Sequence, residues 1–333
     1  MSAVDDRPAA LRQALWPLGL LYQGVAALRN LAFDRGWKTV HRLPMPVVSV
    51  GNLTVGGTGK TPSVMWLVEL AKAHGKRPGV LARGYGRAEG AALNDEGMML
   101  QARLPWLLQR QDPDRVAAGK LLVGDGADFI VLDDGMQHRR LHRDVDLVCL
   151  DALLPFGNSQ CLPAGDLRES RAGLRRADLV LLTRAVRLGA EQVRARVQRV
   201  QQLAGKPALA VYATDHAPQD VVEQPGGTVL PLSSLRGRRA VLLSAIGKPR
   251  SFASTAEGLG IDVIAEHRYR DHHRFSHDEV SRAVAAAQAK DAIVLTTEKD
   301  DARLQQFDET RFVLRIGLSF LDGEPSPSEV GLS

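Results

Sequence analysis

Residues Thr54-Val-Gly-Gly-Thr-Gly-Lys-Thr61 lie between an apolar run, Pro46–Gly51, and a helical pattern that begins near Pro62. A Gly-rich turn in this position lets the backbone N–H groups of Thr54, Val55, Gly56, Gly57, Thr58 and Gly59 curl round phosphate oxygens. The helix that follows adds the positive end of its dipole. Lys60 would neutralise the β/γ-phosphates, and the Thr61 hydroxyl would bind Mg²⁺. Pro62 suits a first helical turn, where its missing N–H is no loss. Thr54 stands where the first glycine of G-x-x-x-x-G-K-[ST] is usual, but strand, turn and helix follow in the order the motif needs.

Outward from this loop, short apolar β-branched runs alternate with helical patterns. Strands are expected at Pro46–Gly51, Arg77–Ala82, Phe129–Asp134, Val145–Asp151 and Ala177–Thr183, with helices at Thr61–His74 and Glu96–Gln109. This alternation predicts an α/β fold, a parallel sheet covered on both faces. The stretch from about Gly205 to Arg236, rich in Gly, Pro, Ser and Asp, reads as a linker with one or two short strands such as Leu209–Ala213. A second α/β set follows: Ala240–Ile246, helix Ser251–Gly260, Ile261–His267, helix Ser276–Lys290 and Ala292–Thr297. The expected organisation is an N-terminal helical region (1–40), a P-loop domain (41–205), a linker (206–236), a smaller α/β domain (237–321) and a frayed tail (322–333).

Composition narrows the function. A chain of 333 residues with 44% hydrophobic and 24% charged residues is neither disordered nor coiled-coil, and its length favours two units. Two cysteines, Cys149 and Cys161, cannot build a disulfide framework or a four-cysteine zinc site, which fits a reduced compartment. The net charge of +5 comes with 5% aromatics and no basic tail, so nucleic acid is not the expected partner.

Three further clusters carry chemistry. Phe129-Ile-Val-Leu-Asp-Asp134 is an apolar strand ending in two acids. Asp134-Gly135 alone would be an ordinary turn; coupled to the Gly-rich loop, Asp133 and Asp134 are expected to hold Mg²⁺ or its water shell. His138, just beyond, orients an acid or only sits in the loop. Leu162-Pro-Ala-Gly-Asp-Leu-Arg-Glu169 places Arg168 and Glu169 on a loop. Asp271-His-His273 follows a strand; a His beside an acid serves as a general base, or is a solvated pair. Thr296–Asp301 ends another strand and is equally ambiguous.

The N-terminal region is unusual. Gln13–Leu28 is a charge-free run of 16 residues, too short to cross a bilayer, which needs roughly 20 apolar residues. Leu18, Leu21, Val25, Leu28 and Ala32 form one apolar stripe, accompanied by Trp16, Tyr22, Phe33 and Trp37. Residues 12–42 carry a net charge of +4. A basic amphipathic helix lies in a membrane interface; the alternative is a helix packed on the domain behind it.

Taken together, Gly51-Asn-Leu-Thr-Val-Gly-Gly-Thr-Gly-Lys-Thr-Pro62, Arg83-Gly-Tyr-Gly86, Leu132-Asp-Asp-Gly-Met-Gln-His138, Leu162-Pro-Ala-Gly165, Leu167-Arg-Glu169, Asp271-His272 and Thr297-Glu-Lys-Asp300 resemble the tetraacyldisaccharide 4′-kinase family of lipid A synthesis. The resemblance runs from about residue 10 to about residue 315. It implies transfer of the γ-phosphate of ATP, with Mg²⁺, to the 4′-hydroxyl of an acylated glucosamine disaccharide 1-phosphate, giving lipid IVA. It also implies a peripheral protein, held by its N-terminal helix on the cytoplasmic face of the inner membrane of a Gram-negative cell. The implied fold is a P-loop domain joined through a two-stranded linker to a smaller α/β domain. A monomer is expected.

The family's site residues map onto Lys60 and Thr61 for phosphate and Mg²⁺, and onto Asp133 and Asp134 as the Walker-B-like acids. Glu169 of Leu-Arg-Glu is implied near the metal. The family's catalytic Asp lies in Gly-Asp-Glu-Pro and is paired with a His of the second domain. Here Asn94-Asp-Glu-Gly97 occupies that place, so Asp95 and His272 inherit the roles, with domain closure expected to assemble the site. Two rival readings are a membrane-recruited ATPase switch of the ParA-like class and a soluble P-loop kinase of a small metabolite.

Overall fold

The computed structural model describes residues 8–87 and 90–332. In chain order the elements are α1 (Ala9–Asp34), β1 (Val47–Gly51), α2 (Lys60–Ala73), β2 (Pro78–Ala82), α3 (Asp95–Arg103), β3 (Leu108–Gln111), α4 (Arg115–Gly124), β4 (Phe129–Asp133), β5 (Val145–Asp151) and β6 (Leu179–Thr183). They continue with α5 (Ala190–Ala204), β7 (Ala210–Gln224), β8 (Thr228–Leu230), β9 (Arg239–Ser244), α6 (Pro249–Gly258), β10 (Asp262–Arg268), α7 (His277–Gln288), β11 (Ile293–Thr297), α8 (Glu298–Asp301) and β12 (Arg311–Phe320). The chain divides into two compact units. The first is Met1–Tyr85 with Trp106–His216 and Leu318–Ser333; the second is Gly86–Pro105 with Ala217–Gly317. The mostly parallel sheet with helices was legible from the strand runs.

In the first unit the strand order is β7-β6-β5-β1-β4-β2-β3, all parallel. Each inner strand is covered on both sides, which is why β1, β4, β5 and β6 read as continuous apolar runs rather than alternating ones. Ile130 and Leu132 of β4 pack with Val116 and Leu122 of α4, and alternation turns Phe129 and Val131 to the opposite face. Burying one such side chain contributes roughly 1.5–3 kcal/mol. β4 inserts between β1 and β2, with Val50 opposite Asp133, so the loop after β1 and the acids ending β4 emerge side by side.

α1 runs through Pro17 and turns its small and polar residues onto this unit. A Cβ at Gly19 would lie 3.1 Å from the Ala164 Cβ. Most large apolar side chains point away: Leu18, Leu21, Val25 and Leu28 are all more than half exposed, whereas Phe33 is buried, as is Ala32 alone of the expected stripe. Among the described residues no helix is long and apolar enough to cross a membrane. The segment expected to fray instead forms a short 3₁₀ turn, Pro327–Val330, with Val330 and Leu332 buried. Its Gly331 lies against Val48 and Val145, and Glu329 accepts from the Tyr212 hydroxyl at 2.9 Å.

In the second unit β10-β9-β11-β12 are parallel, and β7 joins β12 while pairing antiparallel with β8. Ala240 and Leu242 of β9 face Phe252, Ala253 and Ala256 of α6; Val241 and Leu243 face Val280, Ala283 and Ala287 of α7. The linker expected at 206–236 is largely the strand β7, which begins in the first unit and ends in the second.

The excursion Gly86–Pro105 leaves the first unit between β2 and β3 and joins the second. The helix expected at Glu96–Gln109 stops at Arg103, because Pro105 blocks continuation. Arg103 fastens it: its guanidinium donates to Glu298 Oε1 (2.9 Å) and the Ile316 carbonyl (2.9 Å), both partners lying in the second unit. Both ionised side chains are nearly buried. Arg103→Met strands the Glu298 carboxylate, and we expect a loss of about 3–5 kcal/mol in urea unfolding. Accelerated amide exchange over α3 should accompany it. Arg103→Met with Glu298→Met should recover most of the stability; a double variant as weak as the single one would show that the ion pair is not what holds α3.

Candidate active site

The Gly-rich loop hangs from the carboxyl end of β1. Gly51 has no room for a side chain: a Cβ would lie 2.6 Å from the Met136 Cβ of the loop after β4. The loop's carbonyls are gripped from behind. Asn52 Nδ2 donates to the Thr54 carbonyl (2.7 Å) and to Thr58 Oγ1 (2.9 Å). Thr183 Oγ1, at the tip of β6, donates to the Thr58 carbonyl (2.9 Å). Arg184 donates to the Gly57 carbonyl while pairing with Asp151 at 2.7 Å. Across a planar trans peptide the C=O and the next N–H point opposite ways, so these grips turn the Thr58 and Gly59 amides inward. A Cβ at Gly56 (φ +97°) or Gly57 would meet nothing within 4 Å, so the cradle is open and its donor set suits phosphate. Lys60 and Thr61 open α2 directly after Gly59, which adopts φ +85° against the ring of His216.

β4 delivers the acids. Asp133 ends the strand, and Asp134 takes a left-handed backbone (φ +51°). Its carboxylate lies 3.5 Å from Lys60 Nζ and accepts from Arg168 Nη1 with both oxygens, at 2.7 and 2.6 Å. Burial alone would raise the Asp134 pKa, but Lys60 and Arg168 outweigh it and hold the group below the usual carboxylate range. His138 is not directed at an acid: Arg115 donates to its Nδ1 at 2.8 Å. Burial, then Arg115, Arg140 and Arg143, push its pKa down to about 4, so the ring is neutral.

Glu169, expected near the metal, has both oxygens engaged elsewhere. Oε1 accepts from Gln137 (3.0 Å) and Arg176 (2.8 Å), and Oε2 from Asn30 (2.8 Å) and Arg176 (2.8 Å). A buried carboxylate answered on every side by donors is a structural anchor. It ties the Leu-Arg-Glu loop to α1, reinforced by Tyr22 donating to the Arg168 carbonyl (3.1 Å) and Arg29 to the Gln137 carbonyl (2.6 Å).

The second unit brings Asp95 and His272 together: His272 Nδ1 lies 2.9 Å from Asp95 Oδ2. Asn94 caps α3 by accepting the Gly97 amide at 3.0 Å, which fixes Asp95 at the first helical position without the flanking Gly and Pro. His272 adopts φ +63°, a strained backbone for a ring-bearing residue. Its N–H donates to the Ala245 carbonyl at 3.3 Å. His273 faces the other way, bonded to Glu279 (2.9 Å) and stacked on Tyr269. Glu298 is the partner of Arg103 described above.

A sequence profile of the tetraacyldisaccharide-1-P 4′-kinase family matches residues 11–329. The chain belongs to that family. A tetraacyldisaccharide 4′-kinase of Anaeromyxobacter sp. (strain Fw109-5) is 39% identical, covering 91% of this chain and 86% of the relative. One from Geobacter sulfurreducens is 39% identical, covering 85% and 82%. The solved structure of LpxK from Aquifex aeolicus in complex with ATP is similar throughout: TM-score 0.75, 29% identity, 94% of this chain and 96% of that one.

Several residues of this family member escaped the sequence reading. Thr183-Arg184 closes an apolar strand with two polar side chains, the same signal that exposed Asp133-Asp134. Asn52 adjoins the loop that it braces. Arg303, which carries no local signature, points Nε toward Asp95 Oδ2 at 3.8 Å.

The neutral His138 ring sets a pH dependence. The unfolded chain takes up its proton near pH 6.5 and the folded one only near 4. Stability contributed by this residue is therefore intact above 6.5 and lost as pH falls across that window. Urea midpoints measured between pH 7 and 4.5 should drop in the native protein and drop less in His138→Asn. Parallel slopes would place the acid sensitivity elsewhere.

Proposed function

We propose that this chain transfers the γ-phosphate of ATP to the 4′-hydroxyl of an acylated glucosamine disaccharide 1-phosphate. The observation that carries this reading is the open Gly-rich cradle, with Lys60 and Asp134 at its base, in a chain of this kinase family. The inward amides of Thr58 and Gly59 and the Lys60 ammonium hold the phosphates and offset the charge that develops on the transferring group. Thr61, Asp133 and Asp134 are the residues that would hold Mg²⁺; Glu169 is committed to its anchor. Mg²⁺ usually takes one or two carboxylates plus phosphate oxygens, and when bound it supplies further charge neutralisation.

Asp95 accepts the proton of the acceptor hydroxyl, and His272 orients it. A loose phosphoryl-transfer transition state needs deprotonation late, so positioning outweighs basicity. The two sets of residues belong to different units of the chain. Asp95→Asn should lower kcat by about 10²–10⁴-fold while leaving ATP affinity nearly unchanged. A marked loss of ATP binding would instead move Asp95 into the nucleotide site. Incubation with γ-labelled ATP and the disaccharide 1-phosphate should yield a new lipid phosphate; ATP hydrolysis without acceptor, with ATP-driven dimerisation, would point to a nucleotide switch.

The outward apolar face of α1 supports a peripheral position on the cytoplasmic face of the inner membrane. Ordinary packed helices bury such side chains, whereas here Leu21, Val25 and Leu28 are all more than 60% exposed. The native protein should float with vesicles containing anionic lipid. The triple variant Leu21→Glu, Val25→Glu, Leu28→Glu should stay at the bottom of the gradient with ATP binding intact, and equal flotation would sink the assignment.

A further inference from the structure

The nitrogen of His272 that faces away from Asp95 is also occupied. Lys299, on α8, places Nζ 3.4 Å from His272 Nε2 and 3.1 Å from Asp271 Oδ1. An ammonium has three donors and no acceptor, so the nitrogen that it faces presents a lone pair. The single proton of the ring then resides on Nδ1 and is donated to Asp95 Oδ2. Asp95 Oδ1 makes no hydrogen bond among the described residues. We propose that Lys299 is a positioning residue that holds His272 as the neutral Nδ1–H tautomer, so that the ring donates one hydrogen bond to Asp95 Oδ2 and leaves Oδ1 available to the acceptor hydroxyl.

The charges around the ring show why such a cation is needed. Asp95 from α3 and Asp271, whose Oδ1 lies 3.9 Å from Nε2, both draw a second proton onto the imidazole. Opposing them are Lys299 from α8 and Arg303 just beyond it, the latter 3.8 Å from Asp95 Oδ2. Of the two cations, only Lys299 contacts the ring itself. Without it, the proton enters at Nε2 and the resulting imidazolium binds the Asp95 charge more tightly, which weakens Asp95 as a proton acceptor. The hydroxyl proton moves to Asp95 Oδ1 during transfer, and the ring keeps its own. Arg303 has a different task. Its side chain is 5% exposed and binds the His273 carbonyl (3.1 Å), the Ala245 carbonyl (3.0 Å) and Asp300 (2.5 Å), so it shapes the loop rather than the protonation of the ring.

This inference rests on Asp95 being the proton acceptor, and its test separates the two. In ¹⁵N-histidine-labelled full-length protein at pH 7, the resonances lost in His272→Gln identify the ring. They should show the neutral Nδ1–H pattern. In Lys299→Met the ring should move to the imidazolium pattern. At the same pH kcat should fall about tenfold, with the KM for ATP unchanged, and recover as the pH is raised. Lys299→Arg should restore both the tautomer and kcat. An imidazolium or Nε2–H pattern in the native protein overturns the proposal, as does a neutral Nδ1–H ring in Lys299→Met. If instead Asp95→Asn retains full kcat, the proton-acceptor reading fails while the NMR result stands.

Discussion

A loop that offers its N–H groups to a ligand must have its carbonyls satisfied somewhere else. That constraint organises the first unit. Backbone polar groups left unpaired are costly, and a Gly-rich turn has no ladder of its own to pair them. The carbonyls of Thr54, Thr58 and Gly57 are instead taken by Asn52, Thr183 and Arg184. This explains why a buried apolar strand such as β6 ends in Thr-Arg, and why Asp151 stands at the end of β5 to hold the guanidinium in place. The cradle is shaped from its outer side.

The same logic of fastening reaches the two ends of the chemistry. Lys60 and Arg168 converge on Asp134, and Arg168 and its neighbour Glu169 are in turn bonded to α1 through Tyr22 and Asn30. The helix that shows its apolar side to the outside is therefore wired, through polar bonds on its inner side, to the loops that flank the acids. In the second unit Arg103 fastens a short helix borrowed from the middle of the first unit's sequence, and that helix carries Asp95 to His272.

Much of this was legible in the residues, for identifiable reasons. The phosphate loop declares itself because only glycine serves where the backbone must curl, and β1, β4, β5 and β6 because strands buried on both faces tolerate few polar side chains. Asp95 stands out only through the family resemblance, since Asn94-Asp-Glu-Gly97 on its own is an ordinary helix start. Lys299 and Arg303 carry no local signal; their meaning comes from what lies across space. Glu169 was misplaced because an acid beside an arginine in a loop reads the same whether it faces a metal or a guanidinium. β3 was missed because Leu-Gln-Arg-Gln is an edge strand with only partial burial. The stripe of α5, Val193, Val200 and Ala204, was submerged among Gln and Arg.

Asp134, Arg184 and His272 share one further property: each is a non-glycine residue with φ between +51° and +63°. A left-handed backbone costs such residues roughly 1–2 kcal/mol that glycine would not incur. At these three places the backbone and the contacts of the side chain point to different amino acids. Redesign guided by fold energy alone would write glycine at all three, removing a carboxylate, a guanidinium and an imidazole together. The molecule is thus less robust than its architecture allows, and a search for hardier variants would have to be told to leave these positions alone.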